Sequence, residues 1–494
     1  MRSKKNVVIV VGAGFAGISA AANLAQKGFK VTLIEKHTNP GGRARKFLAE
    51  GFTFDMGPSW YWMPDIFDEW FIHLGKSPSD YYELVRLDPS YRVFFDANDH
   101  LDIPANVSAL GNLFESIEPG AAANLQKFTK EASFKYRLGM KKLVNQPGLS
   151  ITEFLNPTLL FNLLRMDVFT PFDKHIRKYF NHPKLHRLLE FPILFLGATP
   201  QKTPALYSFM NYADINLGTW YPKGGFHEVI AGMVSLATEK GVQFNFGEEA
   251  KKLVVADNNA THLITDKNTY TADVVVSGTD YHHFENELIP EHLRNYDDAY
   301  WESRVMAPSA LIFFLGIKGK INKLLHHNLF FHEDFTLHAQ EIYDNPKWPT
   351  KPLFYVCVSS KTDPTVAPEN CENLFVLMPV APGIEDDLSR REHYFELIMN
   401  KLETFTGEEI KNRVIYKKSY AHRNFQEDYH AYKGNAYGLA NTLNQTAIKK
   451  PSIRSKKVKN LFFTGQLTVP GPGVPPSLIS GRLVAEQVEK NMRS

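Results

Sequence analysis

Three glycines, a glutamate and an arginine near the start of the chain are the residue types that grip a phosphorylated ligand. Gly12, Gly14 and Gly17, with Ala13, Phe15 and Ala16 between them, spell G-x-G-x-x-G. Gly12 permits a tight turn, Gly14 lets backbone approach a pyrophosphate, and Gly17 lets a helix pack closely on a sheet. Glu35, followed by Lys36, stands about twenty residues further on, where a carboxylate accepts ribose hydroxyls. That carboxylate repels a 2′-phosphate, which disfavours NADP. Gly41 and Gly42 then offer another backbone able to approach a ligand, and Arg43 a guanidinium for a phosphate.

These residues serve only if strand, turn and helix hold them. Residues 7–11 are an uninterrupted, β-branched apolar run, as a buried parallel strand requires. Residues 18–27 are alanine-rich and helical in composition, with Gly28 as the stop. Residues 31–34 form the next strand, with Glu35 at its end. The unit is β-α-β, and the unpaired N–H groups and dipole at the helix start favour phosphates.

The 494 residues are enough for more than one domain, and 44% hydrophobic with 22% charged residues is ordinary for a globular protein. A net charge of +3, with no basic run interleaved with aromatics, argues against nucleic acid as a partner. Cys357 and Cys371 make neither a disulfide framework nor a tetrahedral metal site, so a reducing compartment, the cytoplasm, is expected and no metal. The opening MRSKKN lacks the long apolar region of a signal peptide, and no stretch of about 18 apolar residues predicts a membrane span.

Three separated regions read as one nucleotide-binding domain: 1–75, 224–300 and 455–494. The middle one has a helical stretch (HEVIAGMVSLATEKG), strand-like VQFNF, KKLVVAD and THLITD around a turn at Asn258-Asn259, and the apolar ADVVVSG. Residues 76–223 and 301–454 carry helical patterns (NPTLLFNLLRM, HIRKYFNHPKLHRLL) and strands (YRVFF, ALIFFLGI, PLFYVCVS, NLFVLMPV). The expected fold class is therefore α/β, a Rossmann-like domain with an α+β substrate-binding domain threaded through it. The end of the chain reads NLFFTGQLTVPGPGVPPSLISG: Gly465 ends a strand, a stiff Gly-Pro loop follows, and Ser477 opens the last helix. A helix N-terminus there suits the electron-rich edge of a reduced flavin. No second G-x-G-x-x-G, G-x-S-x-G, H-E-x-x-H or P-loop occurs, so the chemistry belongs to one bound dinucleotide, with FAD the best choice.

The ordered set VGAGFAGISAAANLAQKGFKVTLIEK with PGGRA, GFTFDMGPSWYWMPD, GTWYPKGGFHEVIAGM, FQEDYHAYKGNAYGLANTLNQTA and NLFFTGQLTVPGPGVPPSLISG resembles the bacterial carotenoid (phytoene-type) desaturases, FAD-dependent amine-oxidase-like flavoproteins. The resemblance covers nearly the whole chain. It implies FAD held by Gly12, Gly14, Gly17, Glu35, Gly42 and Arg43, with Ser59 and Trp60 in a flavin-proximal turn. It further implies Ala250 where a strand backbone approaches the adenosine part, Gly278 in a strand-end motif, and Gly465 and Val474 in the C-terminal flavin segment. One departure is visible: many members have a histidine where this chain has Val469.

The implied reaction is oxidoreduction at a CH–CH group: hydride passes to the flavin, a proton leaves, and a long polyene gains a double bond. Trp60, Tyr61 and Trp62 are candidates to line the flavin site and stabilise the intermediate cation. Spacing singles out no proton acceptor. The substrate is phytoene-like or a later hydroxy- or γ-carotene, and oxygen or a quinone takes the electrons. Because such a substrate lives in membranes, peripheral contact at the inner face of the cytoplasmic membrane is expected, through residues 156–180 with Lys174, Arg177 and Lys178 toward anionic lipid. A small-molecule flavin amine oxidase and a non-catalytic isoprenoid carrier stay open as alternatives.

Overall fold

In the computed structural model, which describes residues 6–154, 166–194 and 199–493, the apolar run Val7–Val11 lies at the centre of a five-stranded parallel sheet. The strand order is Leu461–Phe463, Val274–Ser277, Val7–Val11, Lys30–Glu35, Gln243–Phe246. Such a sheet is covered on both faces, which is why its strands are apolar on both sides. Val8 and Val10 point to the helix Phe15–Gln26 and its neighbours. Ile9 and Val11 point the other way, to a core with Leu253, Leu263 and Trp301. That second core lies under a three-stranded antiparallel sheet, Ala250–Ala256, Asn259–Thr265 and Thr269–Thr271. The helix Val474–Arg493 crosses Phe15–Gln26 so closely that a Cβ on Gly481 would sit 2.5 Å from the Ala16 carbonyl oxygen.

A second sheet has seven strands in the order Val414–Tyr420, Ser309–Lys318, Cys371–Val380, Phe354–Cys357, His327–Phe330, Tyr91–Asp96, Asp99–Ile103. Alternation divides its faces. Leu311, Phe313, Leu315, Val356, Val376 and Met378 pack with Phe395, Ile398 and Leu402 of the helix Leu388–Thr406. Ala310, Ile312, Tyr355 and Leu377 face a large cavity between the two sheets.

Several local expectations change. The turn after Ala250–Ala256 falls on Asp257 and Asn258, both at positive φ (52° and 60°), and Asn259 already opens the next strand. The stretch 175–189 is not one helix: Phe172–Ile176 ends, and Pro183–Leu194 begins with its proline at the first helical position. Of the helical stretch expected at 156–166, residues 156–165 lie outside the described residues. The last helix starts at Val474 rather than Ser477, whose hydroxyl instead donates to the Gly473 carbonyl at 2.8 Å. Among the described residues, no helix is long and apolar enough to cross a membrane. Both cysteines are buried and free.

Candidate functional site

Ligands of open α/β sheets bind beyond the carboxyl ends of the strands. Here those ends open into a cavity of about 650 Å³. Gly12, at φ +98°, turns the chain out of the first strand, its N–H donating to the Ile34 carbonyl at 2.8 Å. Gly14 precedes the helix in extended conformation; no side chain caps this end, and its first turn carries no acid. The free N–H groups and dipole of that turn therefore face the cavity with nothing from the protein neutralising them. A Cβ on Gly14 would meet no atom within 4 Å, whereas one on Gly17 would run into the Gly12 carbonyl oxygen. One glycine leaves room for a ligand; the other leaves room for the helix.

The second glycine turn sits against the first. The Gly41 N–H donates to the Ala13 carbonyl at 2.7 Å, and a Cβ on Gly42 would lie 3.3 Å from Gly14 Cα. Glu35 is buried, and its carboxylate accepts the Ala13 N–H (2.7 Å) and the His37 N–H (2.9 Å). Each oxygen keeps a lone pair for a ribose hydroxyl. Arg43 donates through Nη2 to the Asn435 carbonyl (3.2 Å) and lies 4.9 Å over the Tyr429 ring, but its Nε is buried with no partner. Burial lowers its pKa, and the nearby Asp280 offsets this only in part. Asp280 lines the same wall, its pKa pushed up to about 6 by burial.

The structure brings Gly12, Gly14, Phe15, Ala16, Glu35, Lys36, Gly42, Arg43, Ser59, Trp60, Ala250, Gly278, Gly465 and Val474 into the lining of one cavity. Ala13 and Gly17 stand just behind it, the first holding Glu35 and the second seating the helix. Trp62 lines the cavity beside Trp60, with ring centroids 5.1 Å apart, and its Nε1 donates to Thr219 Oγ1 at 2.8 Å. Tyr61 does not line it. Side chains alternate along this extended stretch, so Tyr61 turns into the core, stacks on Phe67 at 4.3 Å and shares a 2.9 Å hydrogen bond with the Tyr82 hydroxyl. It is removed from the flavin-site candidates.

Sequence reasoning missed the far wall. Ala310, Ile312, Tyr355 and Leu377 come from the seven-stranded sheet, and Met140, Phe209 and Met210 from the helical side. Alternation within ALIFFLGI and PLFYVCVS shows which residues share a face, but nothing local tells which face meets the cavity.

These residues fit FAD. An uncapped helix start and an arginine with an unused buried donor suit a diphosphate, a buried carboxylate suits ribose, and the apolar residues from the second sheet and the helical side suit an apolar guest. The chain matches the family described as flavin containing amine oxidoreductase over residues 15–489. It is 41% identical to a carotenoid 3,4-desaturase of Haloarcula japonica, across 97% of each chain. It is 31% identical to a zeta-carotene-forming phytoene desaturase of Myxococcus xanthus, across 97% of this chain and 93% of the relative. Among solved structures, an oxidoreductase from Methanosarcina mazei shares the fold, with a TM-score of 0.63 at 17% identity over 97% of this chain and 100% of the other. The chain belongs to the flavin-containing amine oxidoreductases and, within them, to the carotenoid desaturases. It is an oxidoreductase that uses FAD.

Proposed function

We propose that this FAD-dependent carotenoid desaturase acts late, on a linear carotene that is already conjugated, and adds a double bond near the open end of the chain. The observation that carries this reading is the difference in identity over equal coverage: 41% to a carotenoid 3,4-desaturase against 31% to a phytoene desaturase. FAD supplies a hydride acceptor. The protein supplies the rest: Gly14 and Arg43 hold the diphosphate, Glu35 the ribose, Ala250 and Gly278 the adenosine side, and Ser59, Gly465 and Val474 the ring. Trp60 and Trp62 present aromatic faces to a polyene cation, each contributing about 0.5–2 kcal/mol. The apolar walls exclude water from that cation. In this reading residues 1–75, 224–300 and 455–494 form the cofactor domain, and the intervening segments the substrate domain.

The substrate enters from a lipid surface. Val168 lines the cavity while its neighbour Phe169 is 84% exposed, and Lys174, Arg177 and Lys178 are exposed on the adjoining segment. An apolar tip beside basic side chains suits an anionic headgroup region. Liposome flotation with and without anionic lipid tests this; recovery in the bottom fraction with both compositions refutes it. The substrate is tested by expression in cells accumulating phytoene, lycopene or hydroxy-γ-carotene separately, with pigment identification. A longer chromophore from the later carotenes, and none from phytoene, is expected. Conversion of phytoene alone refutes the late assignment.

A further inference from the structure

We propose that the Tyr355 hydroxyl accepts the proton lost during desaturation and passes its own proton to His327. This rests on the desaturase reading above. The strand Phe354–Cys357 pairs with His327–Phe330 so that His327 lies opposite Cys357 and Leu329 opposite Tyr355. Alternation then places Tyr355, Cys357 and His327 on one face of the sheet, and Tyr355 lines the cavity with Ser59 and Trp60. The Tyr355 hydroxyl lies 2.5 Å from His327 Nδ1 and 3.0 Å from Ser59 Oγ. His327 is completely buried, its Nε2 has no partner, and its ring lies 4.1 Å from the Trp60 indole at an interplanar angle of 9°. Burial and the neighbouring His326 hold its pKa well below the usual histidine value, so the ring is neutral and Nδ1 is free to accept. The carboxylates and other imidazoles of the cavity gather instead at the Glu35 end, where the His37 ring bonds the Asp428 carbonyl, and His430 bonds Glu249 and Lys36.

The chemistry needs only a weak base. Hydride acceptance is the cofactor's part, and it leaves a cation spread over the polyene. The adjacent C–H bond then breaks, and its electron pair becomes the new π bond. The proton moves to a Tyr355 oxygen lone pair as the Tyr355 O–H bond breaks and an N–H bond forms at His327 Nδ1. The resulting imidazolium lies face to face with the Trp60 indole, whose π cloud attracts the charge. Between turnovers His327 Nδ1 returns its proton to the Tyr355 oxygen, the Tyr355 O–H proton passes to Ser59 Oγ, and the Ser59 O–H proton leaves to water that enters the cavity after product release. Tyr355 is thus a catalytic residue and His327 a positioning residue that acts through it.

The test uses the FAD-loaded protein and the variants Tyr355→Phe and His327→Asn. Tyr355→Phe should lower kcat about 100-fold, with KM and bound FAD per chain unchanged. His327→Asn keeps an acceptor near Nδ1 but takes no proton, and should show the same loss. A readout independent of turnover is the 15N spectrum of histidine-labelled protein without substrate. One imidazole Nδ1 resonance, absent in His327→Asn, should shift in Tyr355→Phe. Wild-type kcat in either FAD-replete variant overturns the relay, as does a His327 resonance indifferent to Tyr355→Phe. If Tyr355→Phe does not fold, His327→Asn decides by its kcat. A wild-type protein that holds FAD yet converts no carotene refutes the desaturase reading instead.

Discussion

Gly14→Ala and Gly17→Ala should separate cofactor binding from folding, although the two positions stand three residues apart. Gly14 has φ −81° and ψ 176°, extended values that any residue adopts, and an added Cβ meets no protein atom within 4 Å. The FAD-free protein should therefore keep its stability within about 0.5 kcal/mol, as for a substitution that touches nothing. The methyl does occupy the space through which a diphosphate reaches the helix start. Losing one charge-assisted hydrogen bond there costs about 1.5–3 kcal/mol, roughly a 10- to 100-fold rise in the Kd for FAD. At Gly17 the methyl is driven into the Gly12 carbonyl oxygen instead. The helix must lift from the sheet, an overpacking cost of about 1–3 kcal/mol or more. Thermal melts of both FAD-free variants, then FAD titration followed by quenching of flavin fluorescence, read the two effects separately. Wild-type FAD affinity in Gly14→Ala, or a melting temperature lowered as far as in Gly17→Ala, would refute the assignment of separate jobs.

Glu35→Ala removes the acceptor of two backbone N–H groups. It should weaken FAD by about 10- to 100-fold and destabilise the FAD-free protein by about 1–3 kcal/mol, since the donors stay buried; FAD titration and melts check both. Trp60→Leu and Trp62→Leu should lower turnover more than pigment binding, and unchanged turnover in both would remove the indoles from the mechanism. Burial raises the Asp214 carboxyl from 3.8 to about 7, while the Tyr91 hydroxyl donates to it at 2.8 Å. The folded state thus holds this proton more tightly than the unfolded chain. Its stabilising contribution is complete below about pH 4 and is lost as pH rises through about 7. The melting temperature of the wild type should fall between pH 5 and 8, and Asp214→Asn should flatten that slope.

Gly12, Gly14, Gly17 and Glu35 were readable as a cofactor grip because every part of it is local: one turn, one helix start, one strand end. The resemblance carried the reading to FAD and carotenoid desaturation, which the comparisons bear out. Contacts distant in sequence were not readable. The strand His327–Phe330 is four residues long with two polar members, and the adjacent exposed Lys417 and Lys418 break the alternation of Val414–Tyr420 at the sheet edge. Such segments become strands because neighbours supply the hydrogen bonds, not because their own pattern demands it. Tyr61 shows the same limit within one motif, since composition groups it with Trp60 and Trp62 while alternation turns it into the core.

The sequence by itself determined which short segments can turn, cap and bury, and so where a dinucleotide is gripped. Only the tertiary structure decided what stands opposite that grip: Tyr355 against Ser59, His327 under Trp60, Arg43 beside Asn435. Backbone geometry over a few residues is written in residue type and spacing. Which side chains meet across a cavity depends on how whole sheets pack, and no local spacing encodes that.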